Sequence, residues 1–225
     1  MSSKLPIVAI LPAFNEADSI GSVVRACREF VEEVVVVDDG SADETGRAAS
    51  ESGAEVARHS ENQGKGAAIR TAFEVFQKKN LPWLVLLDSD GQHDPAEIPA
   101  LHRLAQERGF DLVLGDRMTD TKKMPLIRIA TNRFMSWVIS KMSGQFIPDT
   151  QCGFRLFSRK LVGTLNLTTS HFDLESEMLI QAARAGFTIG SCRIKTIYEG
   201  ESSHIHPIVD TIRFIKLVWR YLGAR

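Results

Sequence analysis

The stretch from Leu84 to Glu97 constrains the fold of this chain more than any other part of the sequence. Leu84–Leu87 is an uninterrupted apolar run, which predicts a strand buried on both faces. Asp94 and Pro95 are typical of a helix N-cap and a first helical position, and Glu97 completes a pattern that resembles a capping box. A buried strand followed this closely by a helix predicts a parallel sheet covered by helices.

The same alternation of strands and helices repeats along the first half of the chain. Runs of β-branched and aliphatic residues predict further strands, at Pro6–Pro12, Glu33–Asp39, Ala54–Arg58 and Phe110–Gly115. Helical spacing of apolar residues and a capping box predict helices, at Ile20–Val31, from Ser41–Glu44 to about Ser52, and after the turn Asn62–Gly66. We therefore expect an α/β fold with a doubly wound, mostly parallel sheet flanked by helices.

The chain changes character after Arg117. Between Arg117 and Lys141 it carries six basic residues and one acidic residue, interleaved with apolar and aromatic side chains. We expect a loop and then a helix from Pro125 to Met142, so that 117–143 forms a basic amphipathic segment. Such a segment suits a membrane surface. Ordinary packing with snorkelling basic side chains is the alternative.

The C-terminal part is expected to complete the same domain. Residues 149–157 predict a turn leading into a strand, followed by a helix at 172–185, a strand at 188–197 and an amphipathic helix at 207–222. With 225 residues, 44% of them hydrophobic, we expect a single domain over 1–225. No apolar run reaches the length of a membrane span, and no leader pattern precedes the first strand.

Charge and cysteine content exclude some classes of function. The formal net charge of −1 argues against a nucleic-acid binder held by bulk charge. Three scattered cysteines without a Cys-x-x-Cys pair indicate reduced thiols in a cytoplasmic protein, not a disulfide framework or a zinc site.

Asp88, Asp90 and Gln92 follow the buried strand directly, at the edge where open α/β sheets bind ligands. Carboxylate and amide oxygens suit Mg²⁺ or Mn²⁺ held together with a diphosphate. An acidic surface turn is the alternative. Asp38 and Asp39 end another strand at the same edge, where an acidic residue can bind a ribose or base, although turn chemistry also explains them.

Other polar side chains suggest anion binding or proton transfer. Lys65, between two glycines, belongs to no phosphate-loop pattern, although a helix start there can approach an anion. Four arginines suit phosphate contact, or form a solvated basic face: Arg117, Arg128, Arg133 and Arg155. His204 and His206 can bind phosphate or a metal, although no third ligand is evident. Candidate general bases are Asp149, Glu175 and Glu177, which can equally serve as ion-pair partners.

Several motifs occur in the order found in a known family: Leu11–Glu16, Val36–Ser41, Asn62–Gly66, Asp88–His93, Gln151–Arg155 and the acidic helix at Glu175 and Glu177. Together they resemble family 2 glycosyltransferases of GT-A fold. The similarity is greatest to the branch of dolichyl-phosphate mannose synthases and polyprenyl-phosphate glycosyltransferases, and it extends from Ile7 to about Phe214.

The resemblance implies roles for particular residues. The nucleotide sugar would be bound by Pro12, Phe14, Glu16, Asp39, Lys65, Asp88, Ser89, Asp90 and, in place of a basic residue usual in the family, His204. Asp88, Asp90 and Gln92 would hold Mg²⁺ or Mn²⁺. The acceptor phosphate would be bound by Arg117 and Arg128, with Arg133 and Arg155. The principal catalytic residues would be Asp90, Arg117 and Arg128.

The resemblance further implies inverting, metal-dependent transfer of a hexose of the mannose or glucose type. The donor would be a GDP- or UDP-linked sugar, and the acceptor a polyprenyl phosphate at the inner face of a membrane. A lipid phosphate needs no general base, whereas a sugar-hydroxyl acceptor would need Asp149 or Glu175. Two rival functions are a nucleotidyltransferase, disfavoured by the lack of a glycine-rich basic loop, and a non-catalytic module that binds nucleotide sugars, disfavoured by the complete carboxylate set.

Overall fold

The computed structural model describes residues 4–119, 121, 124–169, 173–195 and 207–223, with only the backbone described for 207–210. Its strands are β1 (Leu5–Ala13), β2 (Val31–Asp38), β3 (Glu55–Arg58), β4 (Trp83–Leu86), β5 (Leu112–Asp116), β6 (Arg155–Ser158) and β7 (Ile189–Arg193). Its helices are α1 (Ala17–Phe30), α2 (Thr45–Glu51), α3 (Lys65–Lys78), α4 (Ile98–Arg108), α5 (Leu126–Ser143), α6 (Arg159–Val162), α7 (Asp173–Arg184) and α8 (Pro207–Gly223).

The strands form one sheet in the order β3-β2-β1-β4-β6-β5-β7. Every neighbouring pair is parallel except the two that involve β6, which runs antiparallel to both β4 and β5. The predicted mostly parallel α/β sheet is therefore confirmed. The reversal of β6 brings its amino end to the edge where β4 and β5 have their carboxyl ends.

Both faces of the sheet are covered, as the apolar strand sequences predict. Val8 and Ile10 of β1 belong to an apolar cluster that includes residues of α3, α5, α7 and α8. Ile7 and Ala9 lie on the opposite face, in a cluster with residues of α1, α2 and α4. The alternation along β1 is the period of two expected for a strand buried on both sides.

Two helix boundaries differ from the prediction. Val31 is the first residue of β2 and does not belong to α1. The capping box predicted at Ser41–Glu44 does not form: α2 begins at Thr45, and Glu44 makes no capping bond through its side chain. Instead the Ser41 N–H donates to the fully buried carboxylate of Asp38, 2.9 Å away, so these residues form a turn.

The start of α4 agrees with the prediction for Asp94 and Pro95, but the Glu97 side chain makes no capping hydrogen bond at the start of α4. The Asp94 side chain accepts a hydrogen bond from the Ala96 N–H at 2.9 Å, and Pro95 occupies the first helical position. The first turn, Pro95–Glu97, is a 3₁₀ helix that continues into α4. This cap turns the chain immediately after Asp88 and Asp90, and so keeps both carboxylates at the sheet edge.

Helix α8 packs against α5 and α7. The rings of Phe134 and Phe214 meet edge to face, with 6.4 Å between their centroids. The buried carboxylate of Glu177 on α7 accepts hydrogen bonds from Tyr221 and Arg220 of α8, at 3.1 and 3.0 Å. Within the described ranges, no helix is both long and apolar enough to cross a bilayer.

Candidate active site

The carboxyl ends of the parallel strands meet at one edge of the sheet. Strand β1 ends beside Phe14, β2 beside Asp39, β4 near Asp88 and β5 beside Arg117. Because β6 runs in the opposite direction, the segment 149–154 that precedes it returns to this same edge. Most of the residues predicted for the site therefore lie around one cleft.

Asp88 lies at the centre of this edge. Lys65 Nζ is 3.0 Å from Asp88 Oδ1 and 3.0 Å from Glu175 Oε1, so one ammonium group bridges two carboxylates. His93 Nε2 lies 3.6 Å from the other Asp88 oxygen, and its ring packs on Phe154. No role is predicted for His93 from sequence, although it follows the Asp-x-Asp pair by three residues.

These contacts fix the ionisation of the cleft. Burial raises the pKa of the Asp88 carboxyl, but the Lys65 ammonium and His93 outweigh that effect and hold this pKa well below its usual range. Burial lowers the pKa of Lys65, but Asp88 and Glu175 more than compensate and raise it above its ordinary value. Near neutral pH Asp88 is therefore a carboxylate and Lys65 a cation.

Gly153 allows the segment before β6 to pass directly over Asp88. A Cβ atom at Gly153 would overlap the Asp88 carboxylate. Since Lys65 and His93 hold that carboxylate, it cannot turn aside without losing their contacts. Glycine is therefore required here for close approach.

Asp90 lies in the turn after Asp88, and its Oδ1 accepts a hydrogen bond from the Gln92 N–H at 2.9 Å. Both aspartates are partly exposed, whereas Ser89 between them is buried. In the part of the chain that the structure describes, no three His, Cys, Asp or Glu side chains form a self-contained metal site. Two hard carboxylates fit a Mg²⁺ or Mn²⁺ ion that takes its remaining ligands from a bound diphosphate and water.

The loops after β1 and β2 are joined by hydrogen bonds and form one side of the cleft. Asn15 has a left-handed backbone (φ 56°), which asparagine tolerates better than most residues. The Glu16 N–H donates to Thr45 Oγ1 at 2.7 Å. Phe14 is 43% exposed, and Pro12 is half-buried close to it in the chain. An exposed aromatic ring at this edge can stack on a planar base.

Asp39 does not face the cleft as a free acceptor. Its carboxylate contacts His59 Nδ1 at 2.6 Å and accepts hydrogen bonds from the N–H groups of Gln63 and Gly64, at 3.0 and 2.8 Å. Both Asp39 oxygens therefore have partners within the protein, and the predicted contact of Asp39 with a nucleotide stays a prediction. These bonds instead fix the turn that presents Lys65.

Arg117 and Asp149 form a buried, bidentate ion pair. Arg117 Nε and Nη2 donate to the two Asp149 oxygens at 2.8 and 3.1 Å, and Asn132 of α5 donates to Asp149 at 2.8 Å. Burial raises the pKa of Asp149, but Arg117 outweighs it and lowers this pKa to about 2. Asp149 is therefore a poor general base, and much of the Arg117 guanidinium is already occupied.

Arg155, predicted to bind the acceptor, lies in the interior instead. Its guanidinium donates to the backbone carbonyls of Cys152, Glu175 and Thr150, at 2.8, 2.9 and 2.7 Å. The side chain is 1% exposed. These bonds hold the segment before β6 against α7, and the expected contact of Arg155 with a phosphate stays a prediction.

The other predicted cationic contacts lie on α5 or outside the described residues. Arg128 is half-buried and Arg133 exposed, both on α5. His204 and His206 lie outside the described part of the chain, so their predicted roles stay predictions.

Two further side chains bear on proton transfer. Glu177, a candidate base, accepts hydrogen bonds from the Thr168 and Thr169 backbone as well as from α8, and is fully buried. Asp116 ends β5 and was not identified from sequence. Burial raises its pKa, and its Oδ1 accepts a hydrogen bond from the Met118 N–H at 2.9 Å. Among these carboxylates, Asp116 has the pKa shift that suits a base.

Open α/β sheets bind their ligands at the carboxyl edge, where this chain places paired carboxylates and a lysine. A family model described as Glycosyl transferase family 2 matches residues 8–165. The chain therefore belongs to glycosyltransferase family 2, as the motifs predicted, and is a glycosyltransferase.

Relatives of this chain belong to the predicted branch. A UDP-N-acetylglucosamine–dolichyl-phosphate N-acetylglucosaminyltransferase of Methanococcus voltae is 29% identical over 88% of this chain and 88% of its own. An undecaprenyl-phosphate mannosyltransferase of Micrococcus luteus is 30% identical over 80% of this chain and 79% of its own.

The fold also matches a solved enzyme. A crystal structure of glucosyl-3-phosphoglycerate synthase from Mycobacterium tuberculosis superimposes with a TM-score of 0.74 and 22% identity, covering 100% of this chain and 82% of that one. The same enzyme has been crystallised with Mn²⁺, UDP and glucosyl-3-phosphoglycerate. At this level of identity the likeness establishes the GT-A fold alone.

Proposed function

We propose that this glycosyltransferase moves a sugar from a nucleoside diphosphate sugar to a polyprenyl phosphate at a membrane surface, with inversion at the anomeric carbon. The carbon–oxygen bond to the diphosphate breaks as an oxygen of the lipid phosphate forms the new bond. The products are a nucleoside diphosphate and a glycosyl phosphate lipid. The names of the two relatives above, which transfer different sugars to dolichyl and undecaprenyl phosphates, support this acceptor class.

The main support for this proposal is that each predicted general base is already bound to another group of the protein. Asp149 is paired with Arg117 and has a pKa near 2, Glu175 is paired with Lys65, and Glu177 is enclosed by hydrogen bonds. A hydroxyl nucleophile needs a base to remove its proton. A phosphate monoester, with a second pKa of about 6, is already anionic at neutral pH and needs none.

On the donor side, we assign the nucleotide to the loops after β1 and β2, with Phe14 against the base. A divalent ion shared by Asp88, Asp90 and the donor would supply Lewis-acid neutralisation of the departing diphosphate. Lys65, held at the amino end of α3, places a cation beside the same group. Arg128 would place positive charge on the acceptor side, where it offsets repulsion between two anionic substrates, and Arg117 would orient the acceptor phosphate from its ion pair with Asp149.

The surface of α5 and α8 supports a location at a membrane. Apart from Phe14, the exposed large apolar side chains in the described ranges are Leu126, Ile127, Phe134, Trp137, Phe146, Ile212, Ile215, Trp219 and Leu222. We call these residues the apolar face; they lie on α5, on the loop that follows it and on α8. On α8 the exposed apolar residues recur at helical spacing, opposite the buried Phe214 and Leu217 and beside Arg213 and Lys216. That arrangement is typical of a helix lying on anionic lipid.

Transfer to a sugar hydroxyl is the second candidate function. The raised pKa of Asp116 is the observation that favours it. Its raised pKa and its place at the end of β5 would suit a base.

The decisive experiment measures release of nucleoside diphosphate from a panel of GDP- and UDP-sugars with Mn²⁺, with and without a polyprenyl phosphate. We expect release from one donor, dependent on the lipid. Asp116→Asn should retain this transfer if the acceptor is a phosphate. Lipid-independent transfer to a sugar hydroxyl that is lost in Asp116→Asn would overturn the proposal in favour of the second candidate.

A further inference from the structure

A groove runs along α5 on the side that faces the loop 144–148, with a volume of about 650 Å³. This volume lies in the range of sites for small ligands. The groove is lined by Met118, Arg133, Ser136, Trp137, Lys141 and Phe146, with Ile147 and Pro148 opposite. Its lining includes two cations and no acidic residue, and is otherwise mostly apolar.

The groove is preformed, because both walls are held by hydrogen bonds. Gly144 ends α5 with a positive φ of 67°, which lets the chain fold back beside the helix. Gln145 then bonds to Phe187 and Ile189 beside β7, at 2.9 and 2.7 Å. The Ile147 N–H donates to Ser140 Oγ of α5 at 2.9 Å, which closes the base of the groove.

The hydroxyl groups in the groove already have partners. Ser136 Oγ accepts from the Thr150 N–H at 3.1 Å, and Ser140 Oγ donates to the Ile147 carbonyl at 3.2 Å. A ligand therefore meets aromatic and aliphatic surface without having to satisfy buried polar groups. An apolar chain fits such a lining better than a sugar does.

One end of the groove reaches the acceptor side of the cleft. Met118 follows Arg117 in sequence and accepts a contact from the Asn132 amide, which also binds Asp149. From Arg133 to Gly144 the helix rises roughly 16 Å away from this point. The other end opens at Trp137 and Phe146, two exposed residues of the apolar face.

We infer that this groove binds the first isoprene units of the acceptor lipid, with the phosphate at the Met118 end, near Arg133, and the chain leaving at Phe146 towards the membrane. The inference rests on the proposed function and adds to it a site for the hydrocarbon chain. It explains why an apolar, open-ended groove begins at Met118, which shares Asn132 as a contact with Asp149.

The test uses acceptors that differ only in chain length, in solution without vesicles or detergent. Dimethylallyl, geranyl and farnesyl phosphates are compared at saturating donor. In the wild type, KM should fall as the chain lengthens. Trp137→Ala should raise KM for farnesyl phosphate about tenfold, with little change in kcat or in KM for dimethylallyl phosphate. Phe146→Ala, a second exposed position, should act in the same direction.

Trp219→Ala is the matched control, because Trp219 is an exposed tryptophan of α8 that does not line the groove. It should leave KM unchanged for every acceptor. Equal KM values for all chain lengths in the wild type, or equal effects of the two tryptophan variants, would overturn the groove assignment alone. If the wild type transfers sugar neither to these phosphates nor to a polyprenyl phosphate, the proposed function fails and the inference fails with it.

Discussion

Lys65 forms contacts that join distant parts of the chain at one point. Its ammonium lies 3.0 Å from carboxylate oxygens of both Asp88 and Glu175, and its helix start is set by hydrogen bonds to Asp39. A cation fixed between two acids is ready to interact with a diphosphate without first losing side-chain freedom. At the scale of single residues, the site therefore depends on groups that hold the carboxylates as much as on the carboxylates themselves.

Asp90 is the residue whose charge we expect transfer to require most directly. Asp90→Asn should reduce sugar transfer by about a hundredfold or more while leaving the fold intact, because it removes the negative charge from a side chain that we propose as a metal ligand. Transfer is measured with Mn²⁺ and with Mg²⁺, and folding by circular dichroism. Asp94→Asn is the control, since the Asp94 side chain caps the first turn before α4 and asparagine also caps helices. Full activity of Asp90→Asn with Mn²⁺ would refute the metal assignment.

Gly153→Ala tests the close approach of the backbone to Asp88. The added methyl group overlaps the Asp88 carboxylate, which must leave Lys65 or His93. We expect a loss of stability of about 1–3 kcal/mol, as for other overpacked sites, and a fall of at least about tenfold in transfer. Gly163→Ala, where the nearest atom to the new methyl group is 3.5 Å away, should change neither. Wild-type transfer by Gly153→Ala would show that the position of Asp88 is not critical.

At the scale of elements, the Arg117–Asp149 pair joins three parts of the fold. Arg117 follows β5, Asn132 belongs to α5, and Asp149 lies in the segment that leads to β6. Removing one partner of the pair would leave the other charge buried and unpaired, which typically lowers the free energy of unfolding by about 3–5 kcal/mol. The pair therefore fixes α5, and with it the groove, relative to the sheet.

The stability from this pair should depend on pH. Asp149 has a pKa near 2 in the fold against 3.8 ordinarily, a difference worth about 2 kcal/mol. Because the folded pKa is the lower one, this stability is complete above about pH 4 and is lost as the pH falls towards 2. The free energy of unfolding is measured in urea across this pH window for the wild type and for the double variant Arg117→Met/Asp149→Leu. It should fall more steeply with decreasing pH in the wild type. If the free energy of unfolding falls equally with pH in the two proteins, the pH dependence does not come from the Arg117–Asp149 pair.

At the scale of the whole molecule, the apolar face and the catalytic cleft are connected through α5. Helix α5 contributes Asn132 to the Arg117–Asp149 pair and Trp137 to the apolar face, while α8 packs beside it through Phe214. A lipid phosphate approaching from a bilayer would therefore reach the cleft along a single helix.

Binding to vesicles tests the apolar face directly. Ile215→Ala/Trp219→Ala should reduce cosedimentation with vesicles of anionic phospholipid about tenfold, because both side chains are exposed on α8. Added salt should weaken binding of the wild type, since basic residues contribute. Phe14→Ala is the control, as Phe14 is an exposed aromatic residue that follows β1 and belongs to neither α5 nor α8. Equal loss in the control, or no loss in the double variant, would mean that α8 does not contact the lipid.

The sequence alone determined the class of fold and the position of the central carboxylates. Uninterrupted apolar runs such as Leu84–Leu87 report burial on both faces, and a cap such as Asp94 acts through bonds to residues beside it. These are local effects, so periodicity and turn chemistry suffice to predict them. The ordered motifs from Leu11 to Arg155 identified the family before any geometry was known.

Only the tertiary structure decided which polar groups meet. The antiparallel direction of β6 brings Gly153 over Asp88, and strand periodicity carries no information about direction. Arg155 and Asp39 look like ligand residues in sequence, yet both are enclosed by hydrogen bonds in the interior. The partner of a buried charge is chosen by packing between segments far apart in the chain, because an unpaired charge there is costly. For that reason the sequence predicted where the site lies, and the fold determined which of its side chains are available to a ligand.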